Sequence, residues 1–181
     1  MSVLIPTAMG LAVLLAGASA VSDARSATIP NWITLPPIIV GPLAYAAALG
    51  FEYGLQSLAS AFASGIPPYM MFRRQAIGGG DVKLFAALGA VAGFDPFAGV
   101  QIQFAAFAIA LFVALCGQAW RGRLLSTLAS AAAMPLNRVL PLRYQLRVSN
   151  DLRTPVRMGG AILLATVACS LPHFVRAWSG S

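Results

Sequence analysis

Long apolar segments, separated by short polar connections, occupy most of this sequence. Six can be drawn, at about Val3–Ser22, Ile33–Gly50, Tyr53–Phe72, Val82–Phe94, Phe97–Ala119 and Val156–Trp178. A helix of about 20 apolar residues crosses the hydrocarbon core of a bilayer. Only 9% of the 181 residues are charged, whereas a soluble domain carries roughly a quarter. The sequence therefore predicts an all-α, polytopic membrane protein with about six transmembrane helices in a single domain, residues 1–181.

The first segment carries one pattern of a cleaved leader. Ala18-Ser19-Ala20 follows an apolar run, as a signal-peptidase site does. Residues 1–17 contain no Lys or Arg, however, so the basic region that opens a signal peptide is missing. We therefore expect the first segment to be retained as a helix.

Basic residues are concentrated in the odd-numbered connections between segments. These connections, together with the first two residues of the segments that follow them, hold eleven of the twelve Lys and Arg residues, and Arg176 is the exception. The positive-inside rule then predicts cytoplasmic odd connections and periplasmic termini. The long connection at about 121–155 is interpreted either as a basic loop on anionic lipids or as a solvated loop that only fixes topology. Membrane topology thus explains the net charge of +7 better than nucleic-acid binding does.

Two aspartates fall at the cytoplasmic ends of segments in this topology. Asp23 follows the first segment, and Asp81 follows three glycines at the head of the fourth. An ionisable residue at a membrane boundary is a candidate functional residue. Gly89 and Gly93 on the fourth segment, and Gly10 and Gly17 on the first, would allow helices to approach closely. Such packing could bring the two carboxyls together.

Two carboxyls across a water molecule can hydrolyse a peptide bond. Repulsion and partial burial keep one protonated while the other stays ionised and takes a proton from the water. This is aspartic-protease chemistry, which needs no metal or cofactor. Simpler interpretations stay open: Asp23 as a solvated helix end beside Arg25, Asp81 as a first-turn residue favoured by the helix dipole, and the glycines as a flexible turn. Lys83 either reaches the headgroups or tunes Asp81.

The motifs around both aspartates resemble those of the type IV prepilin peptidase family of membrane aspartic proteases. Gly78-x-Gly80-Asp81 matches its Gly-x-Gly-Asp motif, and Asp23 is followed by Ile29-Pro30-Asn31, as in the family. The resemblance implies that Asp23 and Asp81 are the catalytic pair. Gly78, Gly80 and Lys83 would then form the motif that the substrate approaches. Pro30 would fix the turn, and Asn31 would cap the second helix.

The same resemblance implies the substrate and the location. The substrate would be a prepilin whose basic leader is cleaved at the cytoplasmic face of a bacterial inner membrane. The chain has no Cys-x-x-Cys segment, so it resembles the short family members associated with Flp-type, tight-adherence pili. Methyltransferase activity is not expected.

Other protein classes also use isolated membrane carboxylates. A non-enzymatic membrane scaffold, or a transporter that binds a proton or cation on the same aspartates, is the alternative. A transporter favours carboxylates near mid-helix, whereas Asp23 and Asp81 lie at segment ends. A presenilin-like protease shares Gly-x-Gly-Asp, but its Tyr-Asp and Pro-Ala-Leu patterns are absent from the sequence. Asp151 is a third cytoplasmic carboxylate, which could in principle replace Asp23 in the pair but is interpreted as a loop residue near Arg153.

Nucleotide, serine-triad and zinc sites do not fit the residue spacing. The glycines are not followed by Gly-Lys-Ser/Thr. His173 is the only histidine and lies near the outer end of the last segment, and no zinc-ligand cluster is present. Cys116 and Cys169 lie in apolar stretches and are expected to be buried free thiols.

Overall fold

A computed structural model describes residues 4–129, 133 and 158–179. Within these residues all regular structure is helical, as predicted, and each of the six apolar segments forms a helix. Their bounds are α1 Leu4–Ser26, α2 Asn31–Leu49, α3 Phe51–Arg73, α4 Gly79–Val91, α5 Ala98–Trp120 and α6 Gly159–Trp178. Residues 124–129 are helical as well.

Four of these helices, α1, α2, α5 and α6, are long and apolar enough to cross a membrane. The chain is therefore an all-α membrane protein, but the count of about six spans is not supported. α3 has 23 residues, yet polar residues such as Gln56, Ser57 and Ser60 lower its hydropathy. α4 has 13 residues, which extend about 20 Å against a hydrocarbon core of about 30 Å.

The chain forms two compact units. The first comprises Met1–Ile109 and Arg157–Ser181, and the second comprises Ala110–Val156. The first unit contains α1 to α4, the first half of α5, and α6. Most of the basic connection at 121–155, including Asp151, lies outside the described residues, so the expectations for it and for a single domain stay predictions.

Small residues line the contact of α4 with α3 in the first unit, where α4 packs against α3 and α2. A Cβ on Gly93 would lie 2.5 Å from the Ser57 Cα, and one on Gly89 would lie 2.6 Å from the Ser60 carbonyl oxygen. Both glycines thus allow the close approach that was predicted. The same prediction for Gly10 is wrong, because a Cβ there would meet nothing within 4 Å and no helix approaches it closely. Gly17 has only one contact, at 3.9 Å.

Side-chain hydrogen bonds from α2 and α3 fix the far end of α4. The Tyr45 hydroxyl donates to the Val91 carbonyl at 2.9 Å, and the Ser57 hydroxyl donates to the Ala90 carbonyl at 2.7 Å. These bonds satisfy carbonyls in the last turn of α4, which have no partner within the helix. The last turn of α4 is therefore anchored to α2 and α3.

Many large apolar side chains are exposed on the protein surface, as expected in lipid. Leu14 is 69% exposed and Phe104 is 70% exposed. Trp32 and Trp178 are also exposed. Cys116 is a free thiol but is exposed, so the expectation that it is buried is wrong.

Candidate active site

Asp23 lies in the last turn of α1. This helix continues to Ser26, one turn beyond its predicted end at Ser22, because residues 23–26 contain no helix breaker. Ala27 then turns the chain with a positive φ of 52°, and the Ser22 hydroxyl donates to the Thr28 carbonyl at 2.9 Å. The carboxylate of Asp23 is thus on a rigid helix rather than on the following loop.

The first residue of α6 holds the Asp23 carboxylate. The backbone N–H of Gly159 donates to Asp23 Oδ2 at 3.2 Å. An amide in the first turn of a helix has no partner within that helix, so the carboxylate satisfies it. The sequence analysis missed this residue, and its one signal was the Gly159-Gly160 pair at the head of the last apolar segment.

Asp81 is the third residue of α4 and is held by its own helix. Gly78 is the N-cap, with φ −75° and ψ 149°, and its backbone N–H donates to the Asp81 carboxylate. A side chain at the third helical position that reaches back to the N-cap N–H is one half of a capping box. The helix start therefore orients Asp81 locally.

The two carboxylates are within electrostatic reach of each other. Asp81 lies outside the four membrane-crossing helices, at the start of the short α4. Burial first, and the neighbouring Asp23 carboxylate second, raise the pKa of Asp81 from 3.8 to about 6, against the opposing effect of the Gly78 N–H. The two aspartates on which the sequence analysis depended are thus electrostatically coupled, and the raised pKa of Asp81 extends its protonated form up to about pH 6.

The glycines before Asp81 meet different neighbours. A Cβ on Gly80 would lie 3.0 Å from the Ile29 Cβ, so its absence allows the Ile-Pro-Asn segment to pack on the start of α4. A Cβ on Gly78 would lie 3.3 Å from Asp81 Oδ2, and Gly78 is exposed. The space at Gly80 is therefore used by the chain itself. Approach of a substrate stays a prediction for Gly78.

Lys83 joins the two motif segments. Its Nζ donates to Asn31 Oδ1 at 2.7 Å, across 52 positions of sequence. Asn31 is consequently not the cap of α2. That position belongs to Pro30, and no side-chain cap bond is made. Pro30 is extended, with φ −71° and ψ 147°, and fixes the turn as expected. Lys83 is thus half-exposed, and its ammonium group binds a side chain of the protein.

The remaining candidates lie elsewhere. His173 packs edge-on against Phe94, with ring centroids 5.6 Å apart, beyond the end of α4 opposite to Asp81. Arg25 is exposed in the last turn of α1, so its charge faces solvent or headgroups.

The sequence around this site matches a known protein family. The chain matches the type IV leader peptidase family over residues 9–119. It belongs to this family. The matched region includes both aspartates and ends before α6, and membership supports a leader-peptidase function. No curated protein and no solved structure matches the chain.

Proposed function

We propose that this protein is a membrane aspartic endopeptidase that removes the leader from type IV, Flp-like prepilins, with Asp23 and Asp81 as the catalytic dyad. One observation carries the proposal. Asp81 is partly buried and lies close enough to Asp23 for the Asp23 charge to add to the effect of burial, which is the larger of the two, and together they raise the pKa of Asp81 to about 6. Two coupled carboxyls with one shared proton are what hydrolysis by an aspartic protease needs.

The two carboxyls take different parts in the reaction. Asp23, which accepts the Gly159 N–H, is the ionised member and takes a proton from the attacking water. Asp81, the protonated member, donates a hydrogen bond to the scissile carbonyl and stabilises the charge that develops on its oxygen. The tetrahedral intermediate then collapses, and the leaving amine receives a proton from the dyad. Every group in this sequence of steps belongs to the chain, the water or the substrate.

The substrate would reach the dyad from the cytoplasmic side of the bacterial inner membrane, with both termini of the enzyme in the periplasm. This orientation rests on the basic residues of the odd connections, such as Arg73 and Arg74 after α3. A prepilin presents a hydrophobic helix preceded by a leader, so its cleavage site meets the enzyme at the membrane boundary. The basic connection at about 121–155 would lie on anionic lipid.

Within the bilayer, we expect α3 and α4 to lie among the four longer helices. Leu84, Phe85 and Leu88 of α4 are fully buried in the protein. A helix enclosed by others does not need the length or the hydropathy of one that faces lipid. This arrangement would place Asp81 at the membrane boundary, at the start of α4.

Co-expression with an Flp-type prepilin tests the function. Wild type, Asp23→Asn, Asp81→Asn and Glu52→Gln are compared, and mass spectrometry identifies the cleaved pilin and its new N-terminus. Glu52 is an exposed carboxylate in the first turn of α3 and serves as the matched control. Membrane insertion of each variant is measured in the same cells.

We expect wild type and Glu52→Gln to process the prepilin and both aspartate variants to leave it uncleaved. Normal processing by either aspartate variant would refute the dyad and favour the alternative, a scaffold or a proton- or cation-coupled transporter. Absence of cleavage by wild type would refute the proposed substrate.

A further inference from the structure

The Asp23 carboxylate is supported from outside the region that the family match covers. Its partner, Gly159, begins α6, whereas the match ends at residue 119. The bond spans 136 positions of sequence. The position of the Asp23 carboxylate therefore depends on how α6 packs against α1.

Gly159 is buried and has no room for a side chain. A Cβ at this position would lie 2.9 Å from Asp23 Oδ2, 3.0 Å from the Asp23 Cβ and 3.2 Å from the Ala20 Cα. Two of these atoms belong to Asp23 itself, and the third is backbone of the same helix, which cannot rotate away. Even a methyl group would push the Asp23 carboxylate or separate α6 from α1.

The next residue, Gly160, is neither buried nor in contact with Asp23. Gly160 is exposed, and a Cβ there would meet nothing within 4 Å. The chain thus offers two adjacent glycines at the start of one helix, of which one touches the carboxylate. This contrast separates a steric requirement at Asp23 from a general preference for glycine at the helix start.

We propose that Gly159 is a positioning residue for catalysis: its missing side chain and its N–H, at the N-terminus of α6, hold the Asp23 carboxylate in place beside Asp81. The inference rests on the proposed function, because the placement matters only if Asp23 acts on a substrate. An N–H at a helix N-terminus is a favourable partner for negative charge. Since it acts through Asp23, Gly159 should affect the rate of the chemical step more than binding of the prepilin.

The kinetic test compares Gly159→Ala and Gly160→Ala with wild type, using purified enzyme in lipid vesicles and a detergent-solubilised prepilin. For Gly159→Ala we expect kcat to fall about 100-fold, as a displacement near 1 Å commonly causes, with KM within about twofold of wild type. Gly160→Ala should keep wild-type values of both. Unfolding temperatures of both variants are measured in detergent.

A second test reads the contact without turnover. The amide of Gly159 is followed by hydrogen exchange in 15N-glycine-labelled protein, for wild type and Asp23→Ala, with the Gly160 amide as internal reference. Removal of the acceptor should speed exchange at Gly159 about tenfold or more and leave Gly160 unchanged.

A wild-type kcat for Gly159→Ala, or unchanged exchange at Gly159 in Asp23→Ala, would overturn the inference. The inference would also fail if Gly159→Ala lowered kcat, raised KM and lowered the unfolding temperature together, because Gly159 would then be a packing residue only. If wild type does not cleave prepilin, the proposed function fails and the catalytic role of Gly159 fails with it. The exchange result then still reports whether the contact exists.

Discussion

Asp23 and Asp81 are held in different ways. The N–H that Asp81 accepts comes from Gly78, three residues earlier in the same helix start. The N–H that Asp23 accepts comes from Gly159, 136 positions later and on another helix. One carboxylate is therefore oriented by local geometry and the other by tertiary packing. The unequal surroundings also provide a physical basis for keeping one proton on the pair.

Among substitutions outside the dyad, the largest effect is expected at the contact between the two motif segments. In Gly80→Ala the new Cβ would lie 3.0 Å from the Ile29 Cβ, so the start of α4 and the Ile-Pro-Asn segment must separate. We expect kcat/KM for prepilin cleavage to fall about 100-fold, because a shift of Asp81 by about 1 Å is enough for this loss. Purified enzyme in vesicles provides the measurement.

Gly10→Ala is the control for this change, since a Cβ there meets nothing within 4 Å. It should retain wild-type activity. Equal activity of the two variants would show that the reaction does not depend on the contact between the start of α4 and Ile29. The claim that local geometry orients Asp81 for catalysis would then be wrong.

The pH dependence of kcat/KM sharpens the assignment of roles. The pKa of Asp81 is raised to about 6, so its proton is present below this pH and is lost above it. If the protonated form is required, kcat/KM should fall about tenfold for each pH unit above pH 6. Glu52→Gln should show the same profile, because Glu52 is exposed and lies outside the site. A rate that stays flat or rises between pH 6 and pH 8 would contradict this role for Asp81.

A smaller effect is expected from the bond between Lys83 and Asn31. Lys83→Met removes the donor of the 2.7 Å bond and keeps a side chain of similar length. We expect a loss of about tenfold in kcat/KM, and a similar loss for Asn31→Ala. Because the two residues act through one bond, the double variant should lose no more than either single variant. Losses that multiply would show that each residue has a separate role.

The smallest effect on activity should come from the packing of α4 on α3, away from both carboxylates. In Gly93→Ala the new Cβ would lie 2.5 Å from the Ser57 Cα and Cβ. Such overpacking costs about 1–3 kcal/mol, which should lower the unfolding temperature by about 2–12 °C and change kcat little. Thermal unfolding in detergent, with Gly117→Ala as control, measures this. A large loss of kcat without a change in unfolding temperature would couple this contact to the site.

The local half of the site was predictable from the sequence. The apolar segments define α1 and α4, and the glycines before Asp81 place it in a first helical turn. Gly89 and Gly93 were predicted to permit close packing, and they do. These inferences depend on spacing within a few turns of helix, which the sequence contains directly.

The tertiary half was not predictable in the same way. The contact between Asp23 and Gly159 depends on the packing of α6 against α1, which no local pattern specifies. Asn31 was expected to cap α2 but accepts a hydrogen bond from Lys83. The partner of a polar side chain depends on which groups the neighbouring helix places beside it, and the local sequence does not specify this. The count of about six spans is not supported, because only four of the described helices are long and apolar enough to cross a membrane.

The central claim is that Asp23 and Asp81 act as one unit. It is tested most directly by the kcat of Asp23→Asn, Asp81→Asn and the double variant, with purified enzyme in lipid vesicles. Residues that act as a unit are non-additive, so each single variant should lose about 1,000-fold or more, and the double variant should lose no more than the worse single one. Losses that multiply in the double variant, or a single variant with near wild-type kcat, would contradict the dyad.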